Sequence, residues 1–167
     1  MQKQVSTSRL QLDLLTAEDH VFMISLVNSK SWLEFIGDRN VHSKEEALAY
    51  IDKILTTPNL YYWVVRIQEG NTAAGIISFV KRRYLEHYDI GFAFLPEFCG
   101  LGYACEAASR ILQVARENPE HQTVLATTIP GNIKSVNLLN KLGFHFEREI
   151  EVENGKLCVY TNNPPFA

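Results

Sequence analysis

Between Asp89 and Ala108 the chain reads DIGFAFLPEFCGLGYACEAA, a strand pattern that ends in a glycine-rich turn and restarts as a helix. Ile90, Phe92 and Phe94 alternate with Asp89, Gly91, Ala93 and Leu95, the period of two of a strand buried mostly on one face. Pro96 stops it. The segment Cys99 to Ala104 holds two glycines, which admit backbone geometry closed to other residues and let a ligand come close to the main chain. From Tyr103 the period becomes helical: Ala104, Ala107, Ala108, Ile111, Leu112 and Ala115 recur three and four apart, with Glu106, Arg110, Gln113 and Arg116 on the other face. Strand, turn and helix N-terminus together present unpaired N–H groups and the positive end of a helix dipole, a setting that suits phosphate. An anionic cofactor is expected here.

Two nucleotide turns are excluded. A GxGxxG motif needs glycine at position 105, where Cys105 stands, and a P-loop needs a Gly-Lys-Ser/Thr ending that is absent. By itself a GxG before a helix serves a plain tight turn as well as a phosphate cradle. A second motif, Asn132-Ile133-Lys134-Ser135-Val136-Asn137-Leu138-Leu139-Asn140-Lys141-Leu142-Gly143-Phe144, adds to it. Together, residues 99 to 104 and 132 to 144 resemble the GNAT acetyltransferases, whose pyrophosphate turn reads Gln/Arg-x-x-Gly-x-Gly/Ala and is followed by an Asn-x-x-Ser/Ala helix ending in Gly-Phe. Thr7 to Leu12 with Thr16 to Asp19 is similar to the opening of the branch that includes ribosomal-protein N-terminal acetyltransferases. Phe35 to Arg39, and Lys81-Arg82 ahead of Asp89 to Phe92, look like a bacterial and fungal subgroup of that branch. The likeness covers essentially the whole chain.

One domain over residues 1–167 is expected. The length lies in the common single-domain range, and 46% hydrophobic residues, including nine Phe and seven Tyr, suffice for a substantial core. No repeat or long linker divides the chain. A strand around Arg9 to Leu15 leads through an N-cap at Thr16 to a helix ending near Asn28. Ser43 with Glu46 forms a capping box for a second helix that Thr56-Thr57-Pro58 ends. Strands follow at Tyr61 to Gln68 and Ala73 to Val80, and after the glycine-turn helix at Thr123 to Thr128. The Asn132 helix precedes a final hairpin, His145 to Val152 and Lys156 to Tyr160, around Asn154-Gly155. The tail from Asn162 to Pro165 is expected to be irregular. The order βααβββαβαββ gives an α/β fold with a mixed sheet. The resemblance sharpens this to a mostly antiparallel central sheet, flanked by helices, in which two parallel strands splay apart.

A net charge of -3 and a pI near 5.9 give no general reason to bind nucleic acid. Lys81-Arg82-Arg83 is the one tight cationic cluster, a solvated strand end or a contact for an acidic substrate. No apolar run approaches the roughly 20 residues that span a bilayer, and no secretion signal is evident, so a cytoplasmic protein without a membrane partner is expected. Cys99, Cys105 and Cys158 form no CxxC pair and are expected as free thiols. The five histidines lack ligand spacing, so no metal is expected.

The resemblance implies an acyl-CoA-dependent N-acetyltransferase that moves acetyl from acetyl-CoA to a primary amine by direct transfer. The acceptor is a protein N-terminus or a small amine, and the chain is a monomer or homodimer. It places Gly100, Leu101, Gly102, Tyr103 and Ala104 on the pyrophosphate and Phe94 and Leu95 beside the pantetheine arm. Asn132 is assigned to that arm or to capping its own helix. Transfer requires a neutral amine, stabilisation of the oxyanion and a proton for the thiolate. Asp89, or Glu86 as its alternative, is the candidate base, each also compatible with structural pairing or surface exposure. Ser135 is the candidate donor to the departing sulfur, or a packing residue. Trp32, Phe35, Asp38, Arg39, Arg82 and Tyr84 are placed on the acceptor side. The chain departs from the pattern at Cys99, where many members have Gln or Arg, and at Leu139, where many have a Tyr that acts as thiolate acid. A non-catalytic acyl-CoA-binding regulator and a purely structural domain therefore remain alternatives.

Overall fold

Period-two alternation sends successive side chains of one sheet into two separate cores: Trp63 and Val65 point to one face and Val64 to the other, all three fully buried. The computed structural model describes residues 2–163, so the Pro164-Pro165 part of the expected irregular tail lies outside the described residues. Strands β1 (Gln4–Ser6), β2 (Leu10–Leu14), β3 (Leu60–Ile67), β4 (Thr72–Val80), β5 (Tyr88–Phe94), β6 (Val124–Thr128), β7 (His145–Val152) and β8 (Gly155–Thr161) form one sheet in the order β1-β2-β3-β4-β5-β6-β8-β7. Every neighbouring pair is antiparallel except β5 and β6, which are parallel. Helices α1 (His20–Val27), α2 (Lys30–Phe35) and α3 (Lys44–Thr56) cover one face, where Met23, Leu26, Trp32, Ala47 and Ile51 meet Val64 and Ile76. Helices α4 (Tyr103–Arg116) and α5 (Ile133–Lys141) cover the other, where Ala107, Ala108, Ile111 and Leu139 meet Leu10, Trp63, Phe79 and Ile90.

The sheet is the mixed, mostly antiparallel one expected, but the element order is longer. β1 and α2 are additional, and both are too short, at three and six residues, to show a period in sequence. The helix expected from Thr16 starts instead at His20, after a single 3-10 turn over Ala17–Asp19. Asp19 explains the delay: its carboxylate accepts from Thr16 N at 2.8 Å and Thr16 Oγ1 at 3.1 Å, and pairs with Arg66 on β3, which ties the chain to the sheet before α1 begins. The Ser43 capping box is present, with Glu46 N donating to Ser43 Oγ at 3.2 Å and Ser43 N to Glu46 Oε2 at 2.9 Å.

The two parallel strands pair at only two positions, Tyr88 with Val124 and Asp89 with Leu125. Beyond them β5 stays with β4 as far as Phe94, while β6 stays with β8 as far as Thr128. A side chain marks the point of divergence. Thr127 N donates at 2.9 Å to Asp89 Oδ1, so a carboxylate on β5 takes the bond that a ladder carbonyl would otherwise accept. On the other side of β5, Gly75 lies opposite Phe94, and a Cβ there would come within 2.5 Å of the Phe94 ring and 2.6 Å of the Ala93 carbonyl. The bare glycine is what lets that ring lie flat against β4.

Below the divergence His121 is buried, with its ring 4.6 Å from that of Tyr88 and 5.4 Å from that of Phe79. Its Nδ1 has no partner among the described residues, and burial pulls its pKa below 6.5. With a lowered folded-state pKa the unfolded chain takes up the proton first, so stability is full above about pH 6.5 and is lost as pH falls through the lowered value. Denaturant midpoints measured from pH 7.5 to 5 should decline in the wild type and decline less in His121→Phe.

Candidate active site

Two glycines shape the turn that leaves β5. Gly100 and Gly102 have φ of +80° and +84°, and nothing lies within 4 Å of a Cβ built on Gly100. In α4 the Glu106 N–H, at 3.0 Å from the Gly102 carbonyl, is the first to find a partner four residues back. The N–H groups of Tyr103, Ala104 and Cys105 in the first turn are left without one, as at any helix start. Cys99 is exposed and its thiol lies 3.5 Å from the Leu95 carbonyl, which closes the turn onto the strand end. An open surface, two left-handed backbone positions and free N–H groups suit a diphosphate.

The expected flanking residues separate by face. Phe94 is buried in the α4 core, whereas Leu95 is half-buried on the opposite face, where it lines a groove with Phe22, Arg66 and Ala73. Asn132 caps α5, its Oδ1 accepting from Ser135 N at 3.2 Å. Ser135 is half-buried on the first turn of α5, and its hydroxyl makes no hydrogen bond among the described residues. Leu139, at the position where a tyrosine acid would stand, is a core residue.

Asp89 sits where β5 and β6 part, 2% exposed. Arg82 Nε donates to its Oδ2, Thr127 N to its Oδ1 at 2.9 Å, and Thr127 Oγ1 lies 3.2 Å from Oδ2. Burial pushes the Asp89 carboxyl up against the opposing pull of Arg82 and Thr127. Burial likewise pulls Arg82 down, but Asp89 outweighs it and the guanidinium is held more firmly charged than usual. Glu86 is separate from this group. It is exposed and bonded at 2.7 Å to Arg148 on β7, and its own backbone N–H and Arg148 hold its carboxyl below the usual range.

Of the residues assigned to the acceptor side, Trp32 is buried on the inner face of α2 with its indole N–H on the Gly37 carbonyl at 3.1 Å, so it supports the segment after α2 and does not line a surface. Tyr84 and Arg39 are exposed. Thr127 and Tyr62 are additions. The Tyr62 phenol is pushed up by burial and by the neighbouring Tyr50, and Arg82 and Arg39 act on it from nearby, so it stays protonated as a donor. The alternation Tyr61-Tyr62-Trp63 assigns Tyr62 to the face opposite Trp63 from sequence alone.

A family model described as an acetyltransferase (GNAT) domain matches residues 9–145. The chain belongs to the GNAT acetyltransferase family. A curated relative, the uncharacterized N-acetyltransferase YnaD of Bacillus subtilis, is 27% identical over 143 residues, 86% of this chain and 83% of that one. Among solved structures, the ribosomal-protein alpha-N-acetyltransferase RimL in complex with coenzyme A shares the fold with a TM-score of 0.82 at 16% identity, covering 95% of this chain and 96% of that one. A chimeric spermidine N-acetyltransferase from Vibrio cholerae and a human enzyme does so with a TM-score of 0.76 at 19% identity, covering 92% and 95%. GNAT acetyltransferases use acetyl-CoA. Among the described residues no helix is long and apolar enough to cross a membrane.

Proposed function

We propose that this GNAT chain transfers acetyl from acetyl-CoA directly to a primary amine. The observation that carries the reading is the parting of β5 and β6 after Asp89, next to an open glycine turn at the β5 end. Beyond Asp89 the facing edges of the two strands have backbone N–H and C=O groups that no ladder uses, and an arm containing amides can pair with them. In this reading Gly100, Leu101, Gly102, Tyr103 and Ala104 receive the diphosphate, Phe94 and Leu95 bracket the arm, and Asn132, whose Oδ1 caps α5, is assigned to the arm through its NH2 group.

In the transfer the amine lone pair forms a C–N bond to the thioester carbonyl, the C–S bond breaks, the nitrogen loses a proton and the sulfur gains one. Ser135, whose hydroxyl has no hydrogen-bond partner among the described residues, is assigned to the departing sulfur. Asp89 is assigned a positioning role in place of direct proton acceptance, because Arg82 and Thr127 occupy both of its oxygens. Glu86 is a weak base for the same task, since its carboxyl is held low. The proton then leaves through water. The acceptor is a peptide N-terminus or a small amine, the two kinds named for the structural neighbours RimL and the spermidine enzyme.

A second reading, an acyl-CoA-binding regulator, draws support from Leu139 in the core and from the occupied oxygens of Asp89. Thermal stability with acetyl-CoA, followed by release of free CoA across N-terminal peptides, amino acids and polyamines, separates the two. A ligand at about 100 times its Kd stabilises by roughly 2.7 kcal/mol, a shift of several degrees. A shift with CoA release supports the transferase, and Ser135→Ala, which loses a hydrogen bond to the departing thiolate, should then lower kcat by about 10- to 100-fold with little change in the acetyl-CoA KM. A shift without turnover supports the regulator. No shift at millimolar acetyl-CoA overturns both.

A further inference from the structure

The turn from Cys99 to Ala104 contains no cationic side chain, although an anion bound there has two negative phosphates to neutralise. The cation comes from elsewhere in the sequence. Arg9, at the mouth of β2, reaches across to the turn and bonds with four of its atoms. Nη1 donates to the Leu101 carbonyl at 3.2 Å, Nη2 lies 2.6 Å and Nε 2.7 Å from Glu106 Oε2, and the backbone N–H donates to Glu106 Oε1 at 3.3 Å. Its guanidinium carbon stands 4.7 Å from the centre of the Tyr103 ring, and Nη2 is 3.3 Å from where a Cβ on Gly102 would be. One side chain therefore touches residues 101, 102, 103 and 106.

Glu106 makes this cation necessary. A carboxylate in the first turn of α4 is favoured by the helix dipole, but there it competes with any bound phosphate for the same positive field. Thr7 Oγ1 also donates to it. Burial pushes the Glu106 carboxyl up, yet the bonds from Thr7 and Arg9 outweigh this and keep it more acidic than usual, so it stays charged. Arg9 cancels that charge and pulls the Leu101 carbonyl to its own side of the turn. In a tight turn the adjoining N–H groups then face the opposite way. The Arg9 side chain remains 47% exposed, so its field reaches solvent at the turn, where Glu106 at 20% is largely covered.

We propose that Arg9 is the positioning cation of the diphosphate turn, supplying from just ahead of β2 what the turn's own sequence lacks. The proposal rests on the acyl-CoA reading above. It is tested with wild type, Arg9→Gln, Arg9→Lys and Glu106→Gln, using two acyl donors: acetyl-CoA, and S-acetylpantetheine, which keeps the thioester arm but has no phosphate. Arg9→Gln should raise the acetyl-CoA Kd and KM about 10- to 100-fold, the range for losing a charge-assisted contact, with kcat changed less than about threefold and the S-acetylpantetheine KM unmoved. Glu106→Gln removes the opposing charge and should move the acetyl-CoA Kd the other way, to tighter binding. Should Arg9→Gln fail to fold by circular dichroism, Arg9→Lys, which keeps the charge but not the fork, carries the same comparison with a smaller loss.

Equal loss for both donors, or weakening by Glu106→Gln as large as that by Arg9→Gln, means that the pair only supports the fold and overturns the proposal. A folded Arg9→Gln protein that binds acetyl-CoA as wild type does overturns it while leaving the acyl-CoA reading intact. Absence of acetyl-CoA binding by the wild type removes that reading and the proposal together.

Discussion

Replacing Asp89 with alanine should lower the unfolding free energy by about 3–4 kcal/mol, measured as a fall in the urea midpoint at constant m. Two losses add. Losing one partner of an enclosed ion pair costs about 3–5 kcal/mol when the survivor stays buried, but the Arg82 side chain is 38% exposed and can rehydrate, which reduces this share to roughly 2 kcal/mol. The Thr127 N–H, which gives its hydrogen bond to Asp89 at 2.9 Å, loses its acceptor, a further loss of about 1–2 kcal/mol. The conservative Asp89→Asn keeps the shape and one acceptor and should destabilise less. It also separates positioning from proton transfer. As a positioning group, Asp89 replaced by Asn lowers kcat by less than about tenfold and leaves the acid limb of the pH profile in place, whereas loss of a general base costs about 10²- to 10⁴-fold and removes that limb.

The second large effect belongs to the glycine turn. Gly102→Val places a β-branched residue at φ +84°, a conformation worth about 1–3 kcal/mol of strain, and its Cβ lands 3.3 Å from Arg9 Nη2. Relief of the backbone strain rotates the peptide groups on either side of residue 102 and so re-aims the N–H groups of the turn. The expected outcome is a stability loss in that range together with a rise in the acetyl-CoA Kd of at least about 100-fold, read by calorimetric titration on folded protein. Gly100→Ala, with open space around its Cβ, meets the backbone penalty alone and should be the milder change.

The parts of this molecule that sequence reveals are those whose cause is local. The period of two in β5, the Ser43 capping box and the change of period at Tyr103 are each set by residues within a few positions of one another, and the structure has all three. So too with Asn132, whose capping bond to Ser135 lies within its own helix turn. What sequence hides is set by partners distant along the chain. Thr16 looks like the start of a long helix until Asp19 is bound to Arg66, 47 residues away. For Asp89 sequence leaves a base and a structural pairing both open until Thr127, 38 residues on, is found against it. The same holds for Arg9 and Glu106, 97 residues apart, each ordinary in its own neighbourhood. Trp32, placed on the acceptor side from sequence, is instead a core residue whose indole N–H bonds the Gly37 carbonyl.

Two residue pairs between β5 and β6 are all that makes this one sheet instead of two. Mechanically the molecule consists of a five-strand plate carrying α4 and a three-strand plate carrying α5, joined by one short ladder near Tyr88, by the Thr127 bonds to Asp89 and by the core in which α4 and α5 meet. Past the Thr127 bond no ladder bridges the facing edges of β5 and β6. An amide-bearing arm lodged between the plates would act as a missing rib, so the donor's own length and hydrogen bonds would help set how wide the cleft stands when the acceptor arrives.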